Sequence, residues 1–257
     1  MNYSRVADQW FSPIQVTPQT SCVLFCFPYA GGGTGIFRHW PDFLSSDILA
    51  RPIQFPGREA RIHEAPYTHV LPLVEAIAEA IAAQCRVPFA FFGHSMGAFL
   101  SFEVANYLHL HYQREPVHLF VSAQRAPHLP PKIPYPSSTL SDADLVDVLR
   151  QVGGIPASLF SNALLMRFLL PSIRADLAVC SDYQYKEGLP LNCPISVFGG
   201  EDDHQANFSD LEAWKRYTLG SFGMQMWKGG HFFLQQEQER LVATIQTAIL
   251  HSLSRSK

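Results

Sequence analysis

The pentapeptide Gly93-His94-Ser95-Met96-Gly97 lies between an apolar run, Phe89-Ala90-Phe91-Phe92, and a helix-like stretch over residues 98–112. A chain that leaves a buried strand and enters a helix within so few residues must bend sharply. Glycines at both ends of the bend remove the Cβ atoms that would clash there. The serine then stands at the tip of the turn, and the helix N-terminus beneath it favours developing negative charge. Strand, Gly-x-Ser-x-Gly, helix is the order of a nucleophile elbow. Ser95 is therefore the candidate nucleophile, and His94 reads as a packed residue of the turn rather than a second base.

The rest of the chain supplies a sheet for such an elbow. Apolar strands are expected at 22–27, 51–55, 89–92, 117–123 and 195–198, with a shorter one at 224–227. Between and after them come a helix at 71–84, with Leu73, Ile77, Ala80 and Ile81 on one face, and a closing helix over 236–253. Strands alternating with helices predict a mostly parallel sheet flanked by helices on both faces. Residues 1–257 are enough for one α/β domain. Residues 127–185 interrupt the alternation with a proline-rich stretch (Pro127, Pro130, Pro131, Pro134, Pro136) followed by helical patterns. Ser141 before Asp142 and Asp144 marks a capped helix start, and 159–173 reads as one or two further helices. An insertion of this length is expected to form a helical lid. Within it, Arg174 and Asp176 are expected to pair with each other or with the core.

Several classes are excluded. No apolar stretch approaches the roughly 18–20 residues of a membrane span. The first 18 residues lack the basic and apolar regions of a secretory signal. Five scattered cysteines without metal-ligand spacing read as buried free thiols in a reducing cytoplasm. A net charge of −3 argues against nucleic acid, because phosphate binding needs clustered cations. The Gly31-Gly32-Gly33 run lacks the spacing and the Lys-Ser/Thr ending of a phosphate loop.

A serine hydroxyl needs a base and an orienting acid. In α/β-hydrolases the chain order is Ser, acid, His, which leaves few of the eleven histidines. His204 adjoins the acids and His251 falls in the closing helix, whereas His231 follows the last strand in a glycine-rich loop. The strand at 195–198 runs into Gly199-Gly200-Glu201-Asp202-Asp203. Asp203 is the favoured acid and Asp202 the alternative, with Glu201 a solvated charge. After the strand at 117–123 there is no carboxylate, which pushes the acid to 201–203. For the oxyanion hole, Met96 supplies one backbone donor, and the glycine loop after residues 22–27 supplies the other, from Ala30 or its neighbour Tyr29.

Taken together, Phe27-Pro28-Tyr29-Ala30-Gly31-Gly32, Phe55-Pro56-Gly57-Arg58, the elbow and Gly229-Gly230-His231-Phe232 make the chain resemble the stand-alone (type II) thioesterases of polyketide and non-ribosomal peptide biosynthesis. Softer likenesses are Gly153-Gly154-Ile155-Pro156 and Leu170-Pro171-Ser172-Ile173-Arg174-Ala175-Asp176. The resemblance implies an α/β-hydrolase fold with a helical lid, Ser95 as nucleophile, His231 as base and Asp203 as acid. Its implied substrate is an acyl or aminoacyl thioester on the phosphopantetheine arm of a carrier protein, hydrolysed in trans without cofactor or metal. The medium-chain thioesterase of animal fatty-acid synthesis shares the pattern. A carboxylesterase or lipase, an acyltransferase and a catalytically silent carrier-binding module are the rival readings. A cytoplasmic monomer is expected. Arg58, Arg125 and Lys132, near the expected sheet top, are candidates to receive an acidic carrier protein.

Overall fold

The computed structural model describes residues 9–11, 16–131, 140–154 and 160–255. Its centre is a six-stranded sheet with the order β2-β1-β3-β4-β5-β6, and every pairing in it is parallel. The strands are β1 (Cys22–Phe27), β2 (Ile48–Pro52), β3 (Phe89–His94), β4 (Leu119–Ser122), β5 (Ile195–Gly200) and β6 (Phe222–Trp227). The helices are α1 (Val70–Gln84), α2 (Met96–Tyr112), α3 (Asp142–Val152), α4 (Ala163–Asp182), α5 (Phe208–Glu212) and α6 (Gln238–Arg255).

β1 and β3 are buried along their whole length, as expected for parallel strands covered on both faces. Alternation divides their side chains. Val23, Phe25 and Phe27 join one core layer with Ile77 and Ile81 of α1 and Phe99 and Leu100 of α2. Cys22, Leu24 and Cys26 join the other with Trp40 and with Val242, Ile245 and Ile249 of α6. All five cysteines are buried and unpaired with one another. Among the described residues no helix is long and apolar enough to cross a membrane.

The strand order reverses between β1 and β3: the chain runs from β1 outward to β2, then returns past β1 to β3. Loops leaving two such neighbouring strands diverge and open a crevice at the C-terminal edge of the sheet. The glycine loop after β1 and the elbow after β3 both lie there.

Some element boundaries differ from expectation. β2 was expected at 51–55 but lies three residues earlier, pairing Cys22 with Ile48 and Cys26 with Pro52. Proline has no N–H for a ladder, and after Pro52 the chain departs to meet Phe11 and Trp10, with Gln54 N–H donating to the Trp10 carbonyl at 2.9 Å. β6 starts two residues early, through Gly223, and β4 is shorter than 117–123 at both ends. Between β4 and β5, α4 continues through the internal Pro171 to Asp182, nine residues past the expected end. α3 begins as expected at Ser141, whose side chain accepts from Asp144 N–H at 3.2 Å.

Candidate active site

The elbow is built by close approach of backbone to backbone. A Cβ on Gly97 would collide with the Phe27 carbonyl at the end of β1, and one on Gly93 with the Gly97 carbonyl. Ser95 sits at φ 53°, a left-handed conformation that is costly for a residue with a side chain. Its N–H donates to the Ser122 carbonyl of β4 at 2.8 Å, and its own carbonyl accepts from Ala98 N–H. Strand, turn and helix thus over-determine one strained residue. Its side chain is left partly exposed.

The acid and the histidine come from neighbouring loops after β5 and β6. Those loops are tied by Glu201 N–H to the Trp227 carbonyl (2.8 Å) and Asp202 N–H to the Gly229 carbonyl (2.9 Å). His231 spans the gap: its Nε2 lies 3.0 Å from Ser95 Oγ and its Nδ1 lies 2.9 Å from Asp203 Oδ2. The Asp203 side chain is wholly buried, and its Oδ1 accepts from Gln205 N–H at 2.8 Å. With Nδ1–H donated to this carboxylate, Nε2 is the free lone pair facing the serine. Asp202 and Glu201 are exposed, as are His204 and His251.

His94 is fully buried, with Nδ1 2.9 Å from Ser122 Oγ and its ring 5.3 Å from that of His231. Burial, and then the neighbouring His231, hold its pKa well below the usual histidine value. It is a neutral packing residue at working pH.

Of the two expected oxyanion donors, Met96 is the first residue of α2 and so has no intrahelical acceptor for its N–H. Ala30 is half-buried in the turn after β1. The next two amides of that turn are engaged, Gly31 N–H with Asp176 Oδ2 and Gly32 N–H with the Tyr29 carbonyl.

A cavity of about 450 Å³ opens beside Ser95 and His231, walled by Ala123, Leu129, Tyr183 and Tyr185 among others. Cys180 of α4 also lines it, but burial and the nearby Asp176 raise its pKa and keep it a thiol. Among the described residues no group of histidine, cysteine and carboxylate side chains could hold a metal ion.

Two expectations about charges need correction. Arg58 is not a surface charge: its side chain is 6% exposed and paired with Asp176. Arg125 is mostly buried against Asp210 at 3.0 Å, while Lys132 lies outside the described residues. Arg174 and Asp176, expected to pair with each other or with the core, do not meet each other, and Asp176 takes a buried core partner. Two positions apart on a helix they point to different sides, so Arg174 reaches Asp142 of α3 at 2.7 Å and Asp176 reaches Arg58. Sequence reasoning allowed Asp176 a partner in the core but did not identify Arg58 as that partner, although both sit in segments it singles out.

Residues 23–249 match the family model "Thioesterase domain". Linear gramicidin dehydrogenase LgrE of Brevibacillus parabrevis is 41% identical over 248 residues, covering 94% of this chain and 93% of that protein. RedJ, a thioesterase of the prodiginine pathway in Streptomyces coelicolor, superimposes with a TM-score of 0.83 at 38% identity, covering 94% of this chain and 98% of RedJ. YbtT, a type II thioesterase of the yersiniabactin NRPS/PKS pathway, gives 0.82 at 28% identity, covering 93% and 97%. With these relatives, and a family model that spans nearly its whole length, the chain belongs to the thioesterase domain family and is a thioester hydrolase of the α/β-hydrolase fold.

Proposed function

We propose that this protein releases acyl or aminoacyl groups in trans from the phosphopantetheine arm of a carrier protein, through an acyl-enzyme on Ser95. The observation that carries the reading is the single imidazole of His231 within hydrogen-bond reach of both Ser95 Oγ and the buried Asp203. His231 takes the serine proton as Oγ attacks the thioester carbonyl, and Asp203 stabilises the imidazolium that forms. The amides of Ala30 and Met96 donate to the tetrahedral oxyanion. Collapse expels the thiolate, which His231 protonates. The same imidazole then activates water to free the acid and regenerate Ser95. The cavity beside Ser95, with Ala123, Leu129, Tyr183 and Tyr185 in its wall, holds the acyl group while the pantetheine arm enters from outside. In this reading residues 1–257 form one catalytic domain, 127–185 fold over the site as its lid, and the enzyme works in the cytoplasm as a monomer. The phosphopantetheine belongs to the substrate, so the chemistry calls for no cofactor.

The test is hydrolysis of an acyl-loaded carrier protein followed by intact mass, with Ser95→Ala alongside. Prompt conversion to free acid and holo-carrier by the wild type, slowed at least about 10⁴-fold in the variant, is the expected result. An untouched carrier with fast cleavage of an oxygen ester would shift the reading to a carboxylesterase. An acyl group recovered on an amine or alcohol would make it a transferase.

A further inference from the structure

The Arg58 and Asp176 segments have no part in the Ser95–His231–Asp203 relay, yet the fold brings them together beneath the glycine loop. Arg58 grips the carboxylate with both arms: Nη2 donates to Oδ1 at 2.6 Å and Nη1 to Oδ2 at 2.8 Å. Both side chains are more than nine-tenths buried. The pair is not closed on itself. Asp176 Oδ2 also accepts from Gly31 N–H at 2.7 Å, and Arg58 Nη1 also donates to the Gly32 carbonyl at 2.7 Å. Two of its four contacts therefore land on the backbone just after Ala30. Gly31 itself is at φ +78°, and a Cβ there would come within 3.0 Å of Ile173 of α4.

The remainder of the loop is pinned from the same two sides. Glu59, next to Arg58, accepts from Thr34 N–H and Oγ1 and from Gly35 N–H. Tyr29 Oη donates to the Gly154 carbonyl, just beyond α3, at 3.1 Å. A Cβ on Gly154 would collide with the ring of Phe232, the residue after His231.

A buried ion pair adds little net stability, because desolvation offsets most of the attraction, but its geometry is directional. Here the direction is spent on one loop. We infer that Asp176 is a positioning residue that makes the oxyanion site conditional on docking of α4: it fixes the peptides after Ala30 only while the insertion is seated. The relay contains no residue of α3 or α4, so it survives displacement of the insertion, whereas the loop donor loses its anchor. The inference rests on the acyl-enzyme reading with Ala30 as a donor.

The test compares wild type with Asp176→Asn, Arg58→Lys and Tyr29→Phe on a small soluble acyl thioester and on an alkyl trifluoromethyl ketone. The ketone's adduct with Ser95 is an oxyanion held by the same donors. For Asp176→Asn, kcat is expected to fall about 10- to 100-fold, short of complete loss of a donor, with KM within about threefold. Ketone affinity should weaken in parallel with kcat/KM, and the acid limb of the pH profile, which reports His231, should stay in place. Arg58→Lys keeps the charge without the fork and should retain part of the lost activity. Tyr29→Phe should give the smallest loss, and both keep the inference testable if Asp176→Asn fails to fold. A folded Asp176→Asn enzyme with unchanged kcat and ketone affinity, or a loss confined to KM, overturns the inference alone. A wild-type enzyme that hydrolyses the thioester but ignores the ketone overturns the acyl-enzyme reading and this inference with it.

Discussion

The elbow and the α3–α4 insertion face the same cavity but are held by different means. At the elbow the contacts are backbone on backbone: Gly97 against the Phe27 carbonyl, Gly93 against Gly97, Ser95 N–H on the Ser122 carbonyl. In the insertion the contacts are side chains. A small core of Leu145, Leu149, Met166, Leu170 and Ile173 joins the two helices to each other, and the links to the glycine loop are the Asp176 and Tyr29 hydrogen bonds. Leu164, Leu165 and Phe168 of α4 remain exposed. Backbone contacts admit no substitution, and side-chain contacts admit many. The sheet edge therefore carries the Ser95, His231 and Asp203 constellation, and the insertion, Asp176 apart, is where substrate fit can change without disturbing it.

The difference can be broken most forcefully at Gly97. Gly97→Ala places a methyl group inside the Phe27 carbonyl. We expect a loss above about 4 kcal/mol, read as an unfolded or insoluble protein in a denaturant titration; a stable, active variant would contradict the backbone account.

Acid offers a second, smaller lever that acts on the sheet alone. His118 of the sheet region is buried between Ser252 Oγ and Ser196 Oγ, both at 2.9 Å. Burial, then His251, lowers its pKa to about 4. The unfolded chain binds this proton near pH 6.5 and the folded one does not. The stability is thus complete above 6.5 and falls as pH drops toward 4, by about 3 kcal/mol at most. Residues 140–154 and 160–182 contain no histidine. Hydrogen exchange between pH 6.5 and 4.5 should show the sheet losing protection while α3 and α4 do not follow this slope. His118→Gln should make the slope shallower, leaving the share that the buried His94 contributes by the same linkage.

The smallest expected effect belongs to the insertion. Leu170→Ala, in its core, should cost about 2 kcal/mol, at the low end for a buried leucine because two helices on a surface can close the gap. Exchange should quicken in α3 and α4 only. Equal quickening in β3 would mean that insertion and sheet unfold as one unit, against the comparison.

What was legible in advance follows the same division. The elbow, the acid turn and the His231 loop could be read because tight backbone geometry demands glycine at fixed spacings, and the parallel alternation of strands gave the fold. The misses lie where side chains decide. Nine residues of α4 beyond 173 were missed, where Arg174, Asp176 and Asp182 interrupt the apolar pattern although Asp176 is buried against Arg58. Arg58 looked like a surface cation because burial of a guanidinium depends on a partner 118 positions away. Arg51 inside β2 had a similar effect: it is buried with its guanidinium 4.7 Å from the Phe11 ring centre, so the strand's polar residue disguised its true start.

The pairing of His94 with His231 has a consequence for charge. In the proposed mechanism the His231 ring carries a proton during turnover, and a second cation 5.3 Å away would oppose it by about 3 kcal/mol at an effective dielectric near 20. Because His94 is sealed in the turn and stays neutral, it presents only an uncharged aromatic face to its neighbour. The chain thus keeps two imidazoles shoulder to shoulder without letting them compete, and the site handles one proton at a time.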